Sequence, residues 1–267
     1  GVPAVSVVEN ALDHQTLKAA ERHLNQHRVA DDWLRIVYGS GTNTHNVDFV
    51  EAADAILDIL TEFPKVKFRV VGILELPEGF QRFKSRVERI EFCEYEEYLG
   101  HLSQCDISIA PLENYIFNEA KSNIKFLEAS VVKVPSVCSP RSAFTSIIID
   151  GKTALLADTF AEWKQALGSL VESAKLRNSL AESAYKTVLD RYTPVHIAQA
   201  QLAPLLKNPA DKSPATKILS VNIYYSPDSF GGATIVAEQV NSLLHQMDGF
   251  EVFVFTAIRS GVIPDYS

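Results

Sequence analysis

Basic residues are in short supply: 25 Lys and Arg stand against 33 Asp and Glu, for a formal net charge of −8. Neutralising a phosphate backbone needs a clear cationic excess, so the balance argues against a nucleic-acid partner, while a local basic pocket for a small anion stays compatible with it. Cysteine is scarce as well. Cys93, Cys105 and Cys138 are odd in number, sit beside apolar residues and show no C-x-x-C spacing, so no zinc or redox motif is expected and reduced, buried thiols are. No apolar run reaches the roughly 18 to 20 uncharged residues of a membrane span, and the first 30 residues lack the ordered regions of a signal peptide. The expectation is a cytoplasmic protein or a piece from the middle of a longer chain. The sequence has no His/Asp/Glu set at metal spacing, no G-x-S-x-G and no Walker loop, so metal, serine-hydrolase and P-loop chemistry find no support.

What is present is an ordinary globular composition, 46% hydrophobic and 22% charged, over 267 residues. Short runs rich in Val and Ile alternate with helical periods: Leu34–Tyr38, Val66–Val71, Val87–Phe92, Asp106–Ala110, Pro135–Cys138 and Thr153–Leu156. That alternation predicts an α/β domain, a parallel sheet with crossover helices on both faces. Between the first two runs, Phe49, Ala53, Ile56, Leu57 and Leu60 mark the buried face of a helix over residues 46–62. Further helices are expected over Glu94–Gln104, Glu119–Val131 and Ser142–Ile149, and from Phe160 to about Lys207 helices follow one another without strands. Residues 208–216 read as a linker from two prolines and small residues. After it, Lys217–Ile223, the turn Ser226–Gly232, Ala233–Gln246 and Glu251–Thr256 predict a partial β-α-β unit. Two parallel strands bury too little surface to stand alone, so residues 217–267 are expected to dock on the first domain or to complete a sheet in a homo-oligomer.

Three places could carry chemistry. The segment Lys121-Ser-Asn-Ile-Lys-Phe-Leu-Glu128 reads as a helix with Lys121, Lys125 and Glu128 on one stripe beside apolar Ile124, Leu127 and Val131. Such a stripe is a solvated face with a Lys125/Glu128 pair, or two cations and a carboxylate at the edge of an anion-attracting helix end. Gly39-Ser-Gly-Thr42, between a strand and a helix, suits either a tight turn or a loop whose N–H groups surround an anion. The third place is the strand end at Ala110 and the loop Pro111–Asn118, since ligands of open parallel sheets bind outside strand carboxyl ends. Lys121 could neutralise a phosphate there, Glu128 could accept from a vicinal diol, and Asn118, Ser122 and Asn123 could serve a polar ligand such as a sugar. His45 reads as a capping or surface residue, and Trp33 and Trp163 as packing residues.

Leu34–Phe49, Asp106–Leu112, Phe117–Val137 and Ile149–Trp163 together resemble the C-terminal, nucleotide-sugar-binding domain of group 1 retaining glycosyltransferases of the GT-B fold. The resemblance covers about residues 5–206. It implies a Rossmann-like domain over 14–207 forming one half of a GT-B fold, and an interdomain strand and linker over 1–13, where Val5–Asp13 looks like the family's Val-rich run. Residues 217–267 look like the start of the N-terminal domain of a following glycosyltransferase. By position, Glu128 matches the glutamate that binds the ribose hydroxyls of the donor nucleotide, and Gly39, Ser40, Gly41 and Thr42 match the diphosphate-facing loop. Two departures stand out: Ala120 occupies the place of the first glutamate of E-x7-E, with Glu119 one residue off, and the Gly39–Thr42 loop lacks the usual Arg. Diphosphate neutralisation then falls to Lys121 or Lys125 and to backbone N–H groups.

The implied activity is retaining transfer of a hexosyl group from a nucleotide-sugar, a substrate with no further cofactor and no metal, to a glycan or lipid-linked glycan acceptor. Polysaccharide or O-antigen type biosynthesis, in the cytoplasm or at the cytoplasmic face of a membrane, is the implied setting. No catalytic residue is assigned, because the acceptor-activating groups belong to the other half of the fold. A non-catalytic assembly module and a GT-B nucleotide-sugar epimerase stay open as other readings.

Overall fold

The computed structural model describes residues 8–26, 31–41, 45–202, 216–222, 241–242, 245 and 250–256. The chain divides into two compact units, Leu12–His196, and Gly1–Ala11 together with Ile197–Ser267. In the first, the elements run α1 (His14–Leu24), β1 (Leu34–Ser40), α2 (His45–Glu62), β2 (Val66–Gly72), a 3-10 segment (Glu78–Arg86), β3 (Val87–Ile90), α3 (Tyr95–Ser103) and β4 (Ile107–Ala110). They continue with α4 (Ile116–Glu119), α5 (Ile124–Val131), β5 (Ser136–Cys138), α6 (Ser142–Thr145), β6 (Leu155–Leu156), α7 (Phe160–Glu172), α8 (Ala174–Arg191) and α9 (Pro194–Ile197).

The six strands form one parallel sheet in the order β3-β2-β1-β4-β5-β6. This is the Rossmann-like α/β architecture that the alternating apolar runs predict. The order reverses between β1 and β4, and at such a switch point the two loops leaving the strands diverge and open a crevice. Ile36, Tyr38, Phe68, Val70, Ile107 and Ile109 belong to a buried cluster with the inner faces of α2 and α7, where Phe49 and Trp163 are fully buried. Phe49, Phe68 and Phe80 pack ring to ring at 5.5 to 5.8 Å between centroids, which fixes the first turn of α2 against β1 and β2. On the other helical layer α3 touches both α1 and α5. Asp13 caps α1 by accepting from the Thr16 N–H at 2.8 Å, and residues 8–13, part of the expected interdomain strand and linker, are neither strand nor helix. Residues 1–7 of that expected strand lie outside the described residues.

The expected helix Glu119–Val131 is two helices. α4 stops at Ala120 and α5 starts after Asn123, so Lys121 lies in the break and does not share a helix face with Lys125 and Glu128. The cause is Asp48, near the start of α2, whose carboxylate accepts from the Lys121 ammonium at 2.6 Å and the Asn118 amide at 2.9 Å. Those two bonds hold residues on both sides of Ala120 and bend the chain between them. The helix expected over Ser142–Ile149 is likewise only the single turn of α6. At the end of α5, Lys133 takes a positive φ of 56° and its ammonium reaches Glu182 at 2.6 Å and lies 4.6 Å from the centre of the Tyr185 ring.

In the second unit, β7 (Thr216–Asn222) and β8 (Phe250–Thr256) pair in parallel. Thr216 thus belongs to a strand, one residue earlier than expected. Of the helix expected between them, only residues 241, 242 and 245 are described, all helical. Residues 197–202, assigned by periodicity to the first domain, group with this unit, where the Glu9 backbone N–H donates to the Gln201 side-chain oxygen at 2.8 Å and the Gln201 amide donates to the Glu9 carboxylate at 2.9 Å. Most of the linker and the Ser226–Gly232 turn lie outside the described residues.

Candidate functional site

The site is assembled from the carboxyl ends of β1 and β4, the two strands that flank the switch point. Gly39 and Ser40 close β1. The Ser40 hydroxyl is buried and donates to the Ile73 carbonyl, while the Ile73 N–H donates to the Ser40 carbonyl at 2.9 Å. This reciprocal pair leaves the hydroxyl committed to the fold. Gly41 is exposed and has open space where a side chain would begin. Thr42 lies outside the described residues, and the side chain of His45 does too. Gly39 is crowded, since a Cβ there would stand 2.6 Å from the Tyr98 hydroxyl.

Behind the loop that leaves β4, Asp48 acts as a buried hub. Besides Lys121 and Asn118 it accepts from the Glu113 N–H at 3.1 Å, so the loop 111–121 is tied to the start of α2. Lys121 is therefore already ion-paired, at a side chain 23% exposed, and Asn118 is buried in the same network. Ser122 is exposed, and Asn123 is buried at the position preceding α5 without making a side-chain cap.

Lys125 differs from Lys121. Its ammonium has no hydrogen-bond partner and lies 4.2 Å from the centre of the Tyr38 ring. Burial pushes its pKa down to about 8, an effect partly offset by the negative charges of Asp48 and Glu128. Glu128, one helical turn on and 7% exposed, is pushed up to about 7 by burial. Hydrogen bonding from Tyr95 and Tyr98 and the charge of Lys125 act in the opposite direction and favour its ionised form. Among the described residues, the structure thus brings Gly39, Lys125 and Glu128 to one place and gives Lys121 and Asn118 a partner in Asp48.

Glu119, the near match to the family's first glutamate, is engaged elsewhere: its carboxylate accepts from the N–H of Ser142 at 2.7 Å and from the Ser142 hydroxyl. It is a cap for α6. Arg141, which sequence reasoning passed over, follows β5 and is 4% exposed at its side chain, where it bonds to the Glu113 carbonyl and to Asp158. Tyr95 and Tyr98 were also passed over, although their i,i+3 spacing places both on one face of α3. No group of three or more His, Cys, Asp or Glu among the described residues could hold a metal ion. Nor is any described helix long and apolar enough to cross a membrane. Cys105 and Cys138 are buried as expected and form no disulfide among the described residues, and Cys93 is only partly buried.

The family model described as "Glycosyl transferase-like" matches residues 48–203, more than half of the chain and most of the first unit. No curated protein matches. Similar solved structures include a glycosyltransferase from Rickettsia africae, 14% identical with a TM-score of 0.55 over 76% of this chain and 57% of that one. Anabaena HepE in complex with UDP and glucose is 16% identical, with a TM-score of 0.53 over 73% of this chain and 53% of that one. A variant of TarM from S. aureus, in complex with Fondaparinux, alpha-GlcNAc-glycerol and UDP, is 13% identical, with a TM-score of 0.53 over 68% of this chain and 38% of that one. The chain thus spans between about a third and somewhat over half of these proteins, and at such identities the likeness is one of fold. With the family match over residues 48–203, the chain belongs to the glycosyl transferase-like family, and its sheet order 3-2-1-4-5-6 is that of the Rossmann-like half of a GT-B fold.

Proposed function

We propose that the first unit binds the nucleotide part of a nucleotide-sugar, with Glu128 accepting from the ribose hydroxyls and Lys125 facing the diphosphate beside the Gly39–Thr42 loop. The carrying observation is that a buried ammonium without a hydrogen-bond partner and a buried carboxyl meet at the switch point of the sheet. An unpaired buried cation is costly, and an anionic ligand removes that cost. Lys121 supports the site indirectly, by fixing the loop through Asp48. Ser40 contributes its backbone, since its hydroxyl is committed to Ile73. Asn118, Ser122 and Asn123 line the break between α4 and α5 and are candidates for contact with the sugar.

The reaction we assign is retaining hexosyl transfer to a glycan or lipid-linked glycan in polysaccharide or O-antigen type biosynthesis, at or near the cytoplasmic face of a membrane. Charge builds on the departing diphosphate in the transition state, so the useful contribution of this unit is the Lys125 cation and oriented N–H donors. Acceptor-activating groups belong to the complementary half of a GT-B enzyme. The 267-residue chain is therefore expected to bind nucleotide without sustained transfer, and measurable turnover of a nucleotide-sugar by this chain alone would overturn that part.

A thermal-shift panel of UDP, GDP, dTDP and ADP tests the binding reading. UDP comes first, because HepE and TarM were each crystallised with it. At ~100 times its dissociation constant the bound nucleotide should add about 2.7 kcal/mol of stability, and Glu128→Ala, through a roughly tenfold loss of affinity, should cut that gain to about 1.4 kcal/mol. A folded chain that shifts with none of the four would sink the reading and leave the assembly module in its place.

A further inference from the structure

Tyr98 stands between the two groups that the proposed ligand would touch. On one side its hydroxyl lies so close to Gly39 that a Cβ on that residue would be 2.6 Å away. On the other side it is a hydrogen-bonding neighbour of the Glu128 carboxyl that favours the ionised form of that group. Tyr95, one turn earlier on α3 with its ring 6.2 Å from that of Tyr98 and 42% exposed, acts on the same carboxyl in the same direction and also neighbours Thr16 of α1. Thr16 is buried. The two phenols therefore link α1, α3 and α5 around one carboxyl group, and Gly39 is the residue at the end of β1 whose missing side chain makes room for them.

We propose that Tyr95 and Tyr98 are positioning residues for the ligand-binding carboxylate: they hold Glu128 from behind, directing its remaining acceptor capacity toward a vicinal diol at the Gly39–Gly41 loop. This rests on the nucleotide reading of the same site. An ionised carboxylate has about four lone-pair directions, so two phenols and two ligand hydroxyls can be accommodated together. A buried carboxyl left without such support rotates or takes a proton, and either change removes an acceptor that the diol needs. The groups that face Glu128 are Tyr95 and Tyr98 from α3 and Lys125 from its own helix. Asp13 acts on Tyr95 and Asp48 on Lys125, each at longer range.

Such positioning has a specificity effect that a merely structural tyrosine would not have. Losing the phenol oxygen should cost the contact with the ligand's hydroxyls while leaving the base and phosphate contacts in place. The test is calorimetric titration of the full chain with nucleoside diphosphates in pairs, UDP with 2′-deoxy-UDP, GDP with 2′-deoxy-GDP and ADP with 2′-deoxy-ADP, at pH 7.5. The wild-type chain should prefer the ribose form of its nucleotide by roughly tenfold, the scale of one hydrogen bond to a charged group. Tyr98→Phe keeps the ring and removes only the oxygen; it should reduce that preference to within about twofold, with the deoxy form bound nearly as in the wild type. Tyr95→Phe should act in the same direction. A second readout is the pH profile: ribose-form affinity in either variant should recover toward the wild-type value on going from pH 7 to pH 8, as Glu128 is forced to ionise.

The outcomes separate the two layers. If Glu128→Ala abolishes the preference and Tyr98→Phe retains it, the nucleotide reading stands and the positioning role falls. If Glu128→Ala itself retains the preference, Glu128 does not hold the ribose, and the proposal falls with that assignment. Absence of binding to all six nucleotides and to dTDP by the wild-type chain overturns both.

Discussion

Gly72→Ala is expected to destabilise the first unit by on the order of 3 to 5 kcal/mol, measured by denaturant unfolding at 25 °C. Gly72 ends β2 with φ of +97°, a conformation that L side chains rarely adopt, and its Cβ would fall 2.0 Å from the Ser40 carbonyl oxygen. That oxygen is backbone and cannot swing aside. It also accepts from the Ile73 N–H at 2.9 Å, while the Ser40 hydroxyl donates to the Ile73 carbonyl. Relieving the clash therefore separates the ends of β1 and β2 and breaks both bonds, each worth about 1 kcal/mol net, on top of about 1 to 3 kcal/mol of backbone strain. Gly41→Ala provides the comparison, because nothing lies within 4 Å of a Cβ there. Its effect should stay within about 0.5 kcal/mol. A Gly72→Ala chain within about 1 kcal/mol of wild type would show that the ends of β1 and β2 are not held in the way the geometry indicates.

The same stitch explains why the carboxyl end of β1 suits a ligand loop. β1 runs Leu34–Ser40 in full register with Val66–Gly72, so the chain leaves the sheet at a point that cannot drift. Gly39 then gives up its side chain to Tyr98, and Tyr38, one residue earlier, lends its ring to the Lys125 ammonium. Three consecutive residues of one strand thus serve the fold and the site at once: Tyr38 stabilises the cation, Gly39 accommodates the phenol that supports Glu128, and Ser40 locks the exit of the loop. Asp48 does the corresponding work for β4, holding the loop beyond it through the Glu113 N–H, Asn118 and Lys121.

The strands were legible in the sequence because parallel strands covered on both faces are continuous apolar runs, and each of the six expected runs overlaps a strand of the sheet. Their lengths were less so. Thr153–Leu156 shrinks to Leu155–Leu156 and Val87–Phe92 to Val87–Ile90, since both are edge strands paired on one side only. The break at Lys121 was invisible because helical periodicity runs unbroken through 119–131. What interrupts it is Asp48, some 70 residues away, and nothing local announces that contact. Glu128 and Lys125 were legible as a charged pair in an apolar frame, but their burial was not. On a solvated face they would be an ordinary i,i+3 pair. The structure instead encloses them with Tyr38, Tyr95 and Tyr98, three aromatics from two other elements. Arg141 had no signal beyond its place just after a strand.

Glu128→Gln is expected to change how stability depends on pH, and the sign follows from burial. The Glu128 carboxyl is pushed from 4.5 up to about 7, so in the interval between those values the folded chain holds a proton that the unfolded chain has released. Stability must then fall as pH rises through that interval. Between pH 5 and pH 7.5 the wild-type chain should lose about 2 kcal/mol from this group, and the glutamine chain, which cannot ionise there, should lose none of it. Lys125 adds the complementary limb. Its ammonium is pushed from 10.5 down to about 8, so the folded chain holds fewer protons than the unfolded one above pH 8, and stability recovers toward pH 10.5. The pair therefore weighs most heavily on the fold between about pH 7 and 8, where both groups are charged and buried. Denaturant unfolding of both chains at pH 5, 6, 7.5 and 8.5 reads this, because titrating groups that do not interact with Glu128 cancel in the difference, and the Lys125 contribution is confined to the upper end of that range. The glutamine chain should gain about 2 kcal/mol on the wild type between pH 5 and pH 7.5, whereas a difference that stays flat across that range would place the Glu128 carboxyl in contact with water. Bound nucleotide should flatten the wild-type curve as well: hydroxyl donors on Glu128 and an anion on Lys125 favour the charged form of each group, which is the form the empty site disfavours.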